Sequence, residues 1–300
     1  MTEARPDWPQ IAENFRHNPL APGLYIVATP IGNLGDMTLR ALHVLSTADC
    51  VLCEDKRVST RLFSAYGLKA TPQTYNDHNA ATVRPQILGR LDKGDVIAII
   101  SDAGTPLVSD PGYKLVRMAL DRGYRIYPVP GASALLAGLM GAGLATDRFT
   151  FAGFPPNRGP ARRAFFEGLA ARTETLIFFE AARRLGAMLA DLVEVFGDRE
   201  AAIGRELTKR YEEFRRAPLS ELRAGLEAVP PKGECVLLVA GKPQEKEKSS
   251  VYDGLLHNAL GKTSVRAAVD AVVLVTGARR REVYQRALEI TGADEAHDET

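Results

Sequence analysis

Residues 99–111 read IISDAGTPLVSDP, an apolar segment that runs directly into a loop of small residues. The apolar residues at 96–100 predict a buried strand, which ends where this loop begins. Glycine, proline, serine and threonine at such a position allow backbone amides to approach a ligand closely. The stretch therefore predicts an α/β fold with a ligand site at the end of a strand.

Two other loops are built in the same way. A predicted strand at 24–28 is followed by TPIGNLGD at 29–36, and a predicted strand at 126–129 is followed by PGAS at 130–133. Ligands of open parallel sheets bind outside the carboxyl ends of the strands. We therefore expect the three loops to form one pocket.

Strands and helices alternate along most of the chain, which predicts two consecutive α/β units, the first with a mainly parallel sheet. In the first unit, strands are expected near 24–29, 50–54, 71–75, 96–101 and 125–129, and helices near 38–47, 58–66, 80–92 and 112–122. In the second unit, strands are expected near 149–154, 175–179, 201–205 and 235–240, and helices near 160–171, 183–196 and 218–227.

The end of the chain has a different pattern. A charged segment at 241–250 has almost nothing apolar to bury and predicts a linker. Apolar residues then recur at helical spacing, which predicts a small tail resembling a helix-turn-helix. These residues are Val265, Val269 and Val272, followed after Thr276-Gly277 by Val283, Ala287 and Leu288.

The expected domain organisation follows from these patterns. We expect a flexible N-terminal arm (1–22), a first α/β domain (23–147), a second α/β domain (148–241), a linker (242–252), a helical tail of RNA-binding type (253–292) and a disordered end (293–300).

The composition limits the classes of protein that the chain can belong to. It has 300 residues and a formal net charge of +1, from 38 basic and 37 acidic residues. This balance excludes a uniformly basic nucleic-acid-binding protein but allows local basic surfaces. No apolar segment is long enough to span a membrane, and the polar N-terminus lacks the core of a signal peptide. We expect a soluble, cytoplasmic protein.

The three cysteines, Cys50, Cys53 and Cys235, cannot form a complete set of disulfides, which is typical of a reducing compartment. Cys50 and Cys53 form a C-x-x-C motif, but in a strand their side chains would point to opposite faces. No second such pair completes a tetrahedral site. We predict buried, apolar roles for the cysteines and no metal site.

Two phosphate-binding motifs are incomplete. Residues 261–264 read GKTS and resemble the end of a Walker A loop, but Leu256 stands where the first glycine is required. Residues 141–143 read GAG, yet they follow a helix and have Thr146 at the third glycine position. Both nucleotide-binding interpretations are therefore disfavoured.

Charged residues follow the strand predicted at 50–54. Glu54, Asp55 and Lys56 would face the same pocket as the three loops, which makes them candidates for proton transfer and substrate orientation. Asp55 could instead cap the helix that follows, with its neighbours solvated. The sequence allows both interpretations.

The second unit has similar strand ends, with FFEA at 178–181 and RELTK at 205–209. The aromatic residues could simply belong to the core, and Glu206 with Lys209 could form an i,i+3 ion pair. Their position at strand ends makes a functional role an equal alternative.

Arginines are concentrated in the second unit and in the tail, where they could contact the phosphates of a structured polyanion. Single arginines would need no such explanation, but positive charge at the start of the last helix opposes the helix dipole. The candidate phosphate contacts are Arg158, Arg162, Arg163, Arg183, Arg210, Arg279, Arg280 and Arg281.

Five motifs together resemble the tetrapyrrole-methylase superfamily. They are TPIGNLGD at 29–36, CEDKR at 53–57, SDAGTP at 101–106, PGAS at 130–133 and RELTK at 205–209. The resemblance covers about 23–241 and is greatest to the branch of bacterial enzymes that 2′-O-methylate a cytidine in the decoding region of small-subunit ribosomal RNA. The tail also resembles the C-terminal extension of that branch. Porphyrin-directed relatives have Gly-Asp-Pro where this chain has Gly104-Thr105-Pro106, which favours the RNA-directed branch.

The resemblance implies a two-domain class III methyltransferase that binds S-adenosylmethionine between its domains, works as a homodimer and acts on ribosomal RNA within the 30S subunit. By matching position, the cofactor would be contacted by Ile31, Asp102, Gly104, Thr105, Pro106, Val108, Ala132, Ser133, Phe179, Glu180, Glu206 and Leu207.

The expected chemistry is an in-line transfer of a methyl group to the ribose 2′-oxygen. Asp55 or Glu54 would accept the hydroxyl proton, and Lys56 and Lys209 would stabilise the developing alkoxide or hold phosphate. Two alternatives are compatible with the same loops. One is methylation of a small tetrapyrrole, and the other is a non-catalytic role in ribosome assembly.

Overall fold

The computed structural model describes residues 18–108, 112–228, 233–243 and 252–295. They belong to two compact units. The first unit of the structure, Met1–Lys242, contains both α/β parts predicted from the sequence, and the second unit, Pro243–Thr300, contains the predicted tail. Most of the expected N-terminal arm and linker, and the end of the chain after Glu295, lie outside the described residues. The last residues of the expected arm are held in place, because the Tyr25 hydroxyl donates a hydrogen bond of 2.9 Å to the Ala21 carbonyl.

The first sheet is entirely parallel, with the strand order β3-β2-β4-β1-β5. Its strands are β1 (Gly23–Val27), β2 (Cys50–Cys53), β3 (Gln73–Thr74), β4 (Val96–Ile99) and β5 (Ile126–Val129). The helices between them are α1 (Leu39–Thr47), α2 (Lys56–Tyr66), α3 (Ala80–Leu91) and α4 (Tyr113–Asp121). The parallel sheet expected from the alternation of strands and helices is confirmed.

Both faces of this sheet are buried by helices. Leu24 and Ile26 of β1 belong to an apolar cluster that includes residues of α3 and α4. Tyr25 and Val27 belong to a second cluster, with residues of α1 and α2. Because successive side chains of a strand point to opposite faces, a strand without polar alternation requires a helix layer on each side.

The second sheet is mixed, with the order β6-β7-β10-β8-β9; only β6 and β7 pair in parallel. Its strands are β6 (Phe149–Gly153), β7 (Thr175–Ala181), β8 (Glu200–Arg205), β9 (Glu213–Pro218) and β10 (Glu234–Val239). The helices of this part are α5 (Ala134–Ala142), α6 (Gly159–Glu167), α7 (Leu185–Phe196) and α8 (Leu219–Ala228).

Strand β9 is absent from the sequence-based prediction. It reads EFRRAP and pairs only with β8 at the edge of the sheet. Edge strands commonly carry charged residues, which discourage pairing with other chains. Without a buried apolar face the segment lacks the alternation that predicts a strand.

Helix α5 packs on the second sheet, although it directly follows the last strand of the first. Its Leu139 and Ala142 share an apolar cluster with Ile177 and Val236 of that sheet. Glycine allows this close approach, because a Cβ at Gly138 would lie 3.1 Å from Val236 Cγ1. The chain therefore crosses from one sheet to the other between β5 and α5.

The second unit contains three described helices, α9 (Asp253–Leu260), α10 (Val265–Thr276) and α11 (Arg280–Glu295). The pair of helices expected here is present, preceded by α9. Gly277 ends α10 in the left-handed conformation, at φ 66°.

The core of this unit includes one face of α11. Val283, Ala287 and Ile290 of α11 are buried, whereas Leu288 is half exposed. The spacing of the buried residues is that of a single helical face, which Leu288 does not share. Among the described helices of either unit, none is long and apolar enough to cross a membrane.

Candidate active site

The three loops predicted to form a pocket are joined by hydrogen bonds. Thr29 and Gly104 exchange backbone hydrogen bonds of 2.9 and 3.0 Å, which connect the loops after β1 and β4. The Thr105 hydroxyl donates to the Ala132 carbonyl at 3.2 Å and connects the loops after β4 and β5. All three loops therefore meet at the carboxyl edge of the first sheet.

Two glycines allow the loops to approach so closely. Gly104 has a φ of 80°, and a Cβ there would lie 3.1 Å from Ile31 Cγ2. A Cβ at Gly131 would lie 3.0 Å from that of Ala28. These positions favour glycine because a side chain would separate the loops.

A cavity of about 510 Å³ opens beside these loops and extends to the second sheet. We call it the main cavity. The predicted site residues that line it are Ile31, Glu54, Asp102, Val108, Phe179, Glu180, Leu207 and Lys209. Residues that the sequence analysis did not predict are Ala103, Ala134, Phe154, Ala181, Gly233, Glu234, Cys235 and Val236.

The other predicted cofactor residues lie outside the lining of the main cavity. Gly104, Thr105 and Ala132 join the loops, as described above. Ser133 caps α5, its hydroxyl accepting the Leu136 amide. Pro106 is buried beside them. Their arrangement gives these residues a role in shaping the cavity wall.

Phe154 lines the main cavity and was not predicted, although its position after a strand could have indicated it. It follows the carboxyl end of β6, as Phe179 lies near the carboxyl end of β7, and its side chain is 59% exposed. The two rings make an edge-to-face contact, with centroids 5.5 Å apart. Glu234 and Cys235, in contrast, lie at the amino end of β10. A search for residues that follow the carboxyl ends of strands does not find them.

Lys209 is tied to two carboxylates. Its Nζ lies 3.0 Å from Glu206 Oε1 and 2.9 Å from Glu234 Oε2. Burial alone would lower the pKa of Lys209, but these carboxylates outweigh burial and raise the pKa above its ordinary value. The i,i+3 pair considered from the sequence is thus present, and the ammonium charge is balanced.

The backbone around Lys209 is strained to place it there. Glu206 and Thr208 have φ values of 50° and 64°, in the left-handed region that non-glycine residues rarely adopt. The Lys209 side chain lies against Gly32, where any Cβ would overlap it. Strain of this kind is concentrated at functional sites, where surrounding structure maintains it.

Glu180 is also engaged. Its side chain is buried, accepts the Ala181 amide at 2.7 Å and forms an ion pair of 2.6 Å with Arg184. A buried carboxylate needs such partners. Glu180 therefore gives the wall of the main cavity a fixed polar group.

Asp55 caps helix α2, as one interpretation of the sequence proposed. Its carboxylate accepts the Arg57 amide at 2.8 Å and pairs with the Arg57 guanidinium at 2.6 Å. These hydrogen bonds from Arg57 lower the pKa of Asp55 to about 2. Such an acid is a poor proton acceptor at neutral pH.

A second cavity, of about 470 Å³, adjoins the first. We call it the side recess. It is lined by Glu54, Asp55, Lys56, Thr74, Asn76, Asp77, His78 and Asp102. Glu54 and Asp102 line both cavities. The segment after β3 was missed by the sequence analysis, although it too follows the carboxyl end of a strand.

The arginines proposed to contact phosphate differ in exposure. Arg158, Arg183 and Arg210 are exposed in the first unit, and Arg279, Arg280 and Arg281 are exposed at the start of α11. Some of them form ion pairs. Arg280 lies 2.9 Å from Asp270, and the partly exposed Arg163 lies 3.0 Å from Asp191.

Arg162 is a correction to the sequence-based list. It is 6% exposed, pairs with Asp191 at 2.7 Å and donates to backbone carbonyls of Asn157 and Ala187. A buried guanidinium with these partners links α6 to α7 and cannot reach a nucleic acid.

The two cysteines of the C-x-x-C motif lie on different sides of the first sheet. Cys50 and Cys53 lie in the apolar clusters on opposite faces of the first sheet, and all three cysteines are buried and unpaired. Across the described residues, no group of histidine, cysteine and acidic side chains could hold a metal ion.

Comparison with known proteins identifies the family. A family model described as "Tetrapyrrole (Corrin/Porphyrin) Methylases" matches residues 23–223, and one described as "RsmI C-terminal HTH domain" matches residues 248–291. A protein of Mesorhizobium japonicum named "Ribosomal RNA small subunit methyltransferase I" is 46% identical over 91% of this chain and 93% of its own length. Its namesake in Pseudomonas aeruginosa is 42% identical over 90% and 98%. The chain belongs to the ribosomal RNA small subunit methyltransferase I family of tetrapyrrole methylases.

Solved structures agree with the fold of this methylase. The uroporphyrin-III-C-methyltransferase from Thermus thermophilus superposes with a TM-score of 0.52 and 24% identity, over 73% of this chain and 94% of that chain. Diphthine synthase superposes with a TM-score of 0.55 and 16% identity, over 73% and 90%. At such identities the likeness supports the fold alone, and it confirms the α/β methylase architecture expected from the sequence.

The methylase is an S-adenosylmethionine-dependent methyltransferase. Its main cavity fits that cofactor, which carries a positive sulfonium, an amino group and a flat adenine ring. Asp102, Glu180 and Glu234 place carboxylates on the wall, and Phe154, Phe179 and Ile31 supply apolar surface. Its volume of about 510 Å³ also lies within the range of about 300–1,000 Å³ that is usual for small-ligand sites.

Proposed function

We propose that the methylase transfers a methyl group to the ribose 2′-oxygen of a cytidine in the decoding region of small-subunit ribosomal RNA. The observation that carries the proposal is the pair of adjoining cavities, which share Glu54 and Asp102. A transferase needs a site for the methyl donor beside a site for the acceptor. The names of the relatives and the sequence motifs support an RNA acceptor.

In this proposal the main cavity holds the cofactor. Ile31, Val108 and Phe179 give it apolar walls, and Asp102 offers a carboxylate where the loops meet. Gly104, Thr105 and Ala132 support those walls through the contacts between loops, and Ser133 caps the helix that follows. The bound cofactor supplies a methyl group that its positively charged sulfur activates.

The chain contributes alignment and a proton acceptor. Holding the hydroxyl in line with the methyl group can account for roughly 7–11 kcal/mol of the barrier. We assign proton acceptance to Glu54, because it lines both cavities and Asp55 is occupied by Arg57. In this scheme the Glu54 carboxylate would accept the proton of the 2′-hydroxyl group, while the bound cofactor would supply the methyl group and keep its sulfur as a neutral thioether.

The two lysines have different places in this scheme. Lys56 lines the side recess, where its ammonium can stabilise the developing alkoxide. Lys209 is balanced by Glu206 and Glu234, and it orders the loop that closes the main cavity. We therefore assign Lys209 a positioning role.

The proposed substrate is the RNA within an assembled 30S subunit, in the cytoplasm, and the proposed enzyme is a homodimer. Exposed arginines would hold the flanking phosphates, and the target nucleotide would be splayed out of its stack into the site. The arginines retained for this role are the partly exposed Arg163 and the exposed Arg158, Arg183, Arg210, Arg279, Arg280 and Arg281.

The test is transfer of labelled methyl from S-adenosylmethionine to small subunits that lack 2′-O-methylcytidine, with the product nucleoside identified by mass spectrometry. We expect 2′-O-methylcytidine. Cofactor binding without RNA labelling, together with tight binding of a porphyrin or corrinoid, would instead indicate a small-tetrapyrrole methylase. Absence of cofactor binding with retained subunit binding would indicate a non-catalytic assembly factor.

A further inference from the structure

We propose that the side recess binds the base of the acceptor nucleoside, and that Asp77 and His78 recognise a base with an exocyclic amino group. This inference rests on the proposed function and deepens it. It assigns selectivity for cytosine over uracil to a segment of the chain that lies outside all five sequence motifs of the family.

The position of the side recess suits an acceptor. Glu54 and Asp102 form part of its wall and part of the wall of the main cavity. A nucleoside with its base deeper in the recess could therefore place its ribose at this shared boundary. The volume of about 470 Å³ is also in the usual range for a small ligand.

The segment that carries Asp77 and His78 is held rigidly by its neighbours. The Asn79 side chain donates to the Thr74 carbonyl at 2.9 Å and accepts the Asn76 amide at 2.9 Å. The Asn76 side chain accepts the His78 amide at 3.2 Å. These bonds fix the backbone without using the side chains of Asp77 and His78, so the segment is preorganised for a ligand.

The Asp77 and His78 side chains are available for such a ligand. Both residues are exposed, and neither side chain has a hydrogen bond or ion pair within the described part of the chain. Two other carboxylates of the recess are engaged, since Asp55 pairs with Arg57 and Asp102 accepts the Asp55 amide at 3.0 Å.

The chemistry of the lining selects the kind of base. Carboxylates outnumber Lys56 and His78 in the recess, so it disfavours phosphate and favours a hydrogen-bond donor. A carboxylate accepts a hydrogen bond from the cytosine amino group, whereas uracil presents an oxygen at the same position. An imidazole can stack on an unstacked base. Asp77 would therefore accept a hydrogen bond from the amino group, while the His78 imidazole stacks on the base.

The experiment compares the parent methylase with Asp77→Asn and His78→Ala on small subunits carrying either cytidine or uridine at the target. A matched control is Asp147→Asn, because Asp147 is exposed and lines neither cavity. Methyl transfer is measured as kcat/KM for each subunit, and cofactor affinity is measured by calorimetry on the same preparations. Thermal melting checks that each variant is folded.

We expect Asp77→Asn to lower kcat/KM for cytidine roughly 10- to 100-fold, the value of a hydrogen bond to a charged group. The amide can donate to the uracil oxygen, so preference for cytidine should fall. His78→Ala should raise KM for subunits. Cofactor affinity should stay within about twofold of the parent, as for an ordinary surface substitution.

Three results would overturn the inference. Asp77→Asn and His78→Ala could match Asp147→Asn on both subunits, which would leave the recess without a role in acceptor recognition. They could lose cofactor affinity, which would place the segment on the donor side. The parent could label neither subunit, in which case the proposed function fails as well and the inference fails with it.

Discussion

Ion pairs distinguish the charged residues of the site from one another. Asp55 is held by Arg57, and Lys209 is held by Glu206 and Glu234. Both were candidates for catalysis because of their position in the sequence. A charged residue at the end of a strand lies near the site. Its ion-pair partners decide whether the charge can act on a substrate. Glu54 and Asp102 both lie at the boundary of the two cavities, and Asp102 accepts the Asp55 amide there.

Glu54→Gln should lower kcat for methyl transfer by about 10²- to 10⁴-fold, because the amide keeps the shape of the side chain but cannot accept the proton. Cofactor affinity, measured by calorimetry, should change little. Asp147→Asn, at an exposed position away from both cavities, serves as the control for loss of one acidic group. A Glu54→Gln enzyme as fast as the control would remove Glu54 from the proposed chemistry.

Asp55 should make stability depend on pH in the acid range. Its pKa is about 2 in the folded protein against an ordinary 3.8, so its ionised form favours folding above the ordinary value. That contribution is lost as the pH falls from about 4 towards about 2. Asp55→Asn keeps a helix cap but removes the charge. Urea-unfolding midpoints of parent and variant should differ near neutral pH and converge on acidification. A constant difference would contradict this assignment.

Helix α5 is the element that joins the two sheets of the first unit. It begins after the loop that supports the main cavity, and its apolar residues pack on the second sheet. Gly141 lies so close to the Phe214 ring that a Cβ would overlap it. Close packing of this kind sets the distance between the loops of the first sheet and the strands of the second.

Gly141→Ala should therefore lower the free energy of unfolding by about 1–3 kcal/mol, since the added methyl group has no space beside Phe214. Gly225→Ala in α8 is the matched control, because Gly225 is exposed and a Cβ there would have no other atom within 4 Å. That control should gain about 0.5–1 kcal/mol from helix propensity. Urea denaturation measures both. Equal effects would mean that the α5 contact tolerates a larger residue.

At the scale of the whole molecule, the chain divides into a unit that contains both cavities and a small helical unit with its own core. The small unit presents Arg279, Arg280 and Arg281 at the start of α11. Their exposed positive charge makes these residues candidates for contact with the phosphates of RNA.

Replacing Arg279, Arg280 and Arg281 together by alanine should weaken binding to small subunits and reduce its salt dependence. If each arginine contacts one phosphate, the slope of log K against log salt should fall by about 2–3. Cofactor affinity should be unchanged. Replacing Lys93, Lys114 and Arg117, which are exposed on the first unit, provides a control of equal charge. An unchanged slope in the Arg279–Arg281 variant would exclude these phosphate contacts.

Much of the fold could be predicted because its signals are local. Short stretches of sequence are enough to predict the apolar strands β1, β4 and β5 and the loops of small residues that follow them. The parallel sheet then brings these loops together. Strand β9 had no apolar alternation to reveal it. The segment at 74–78 followed a predicted strand but lacked the glycine and proline that drew attention to the other loops.

Local patterns were thus sufficient for most of the strands and helices, though not for β9 or α9, and for the edge of the sheet at which the site lies and the family of methyltransferases that the motifs resemble. They could not show that Arg162 is buried against Asp191, that Lys209 is balanced by Glu206 and Glu234, or that Glu54 stands between two cavities. Those properties depend on contacts between residues far apart in the chain. Burial and charge partners are set when sheets and helices pack, and only then is it decided which side chains remain available to a substrate.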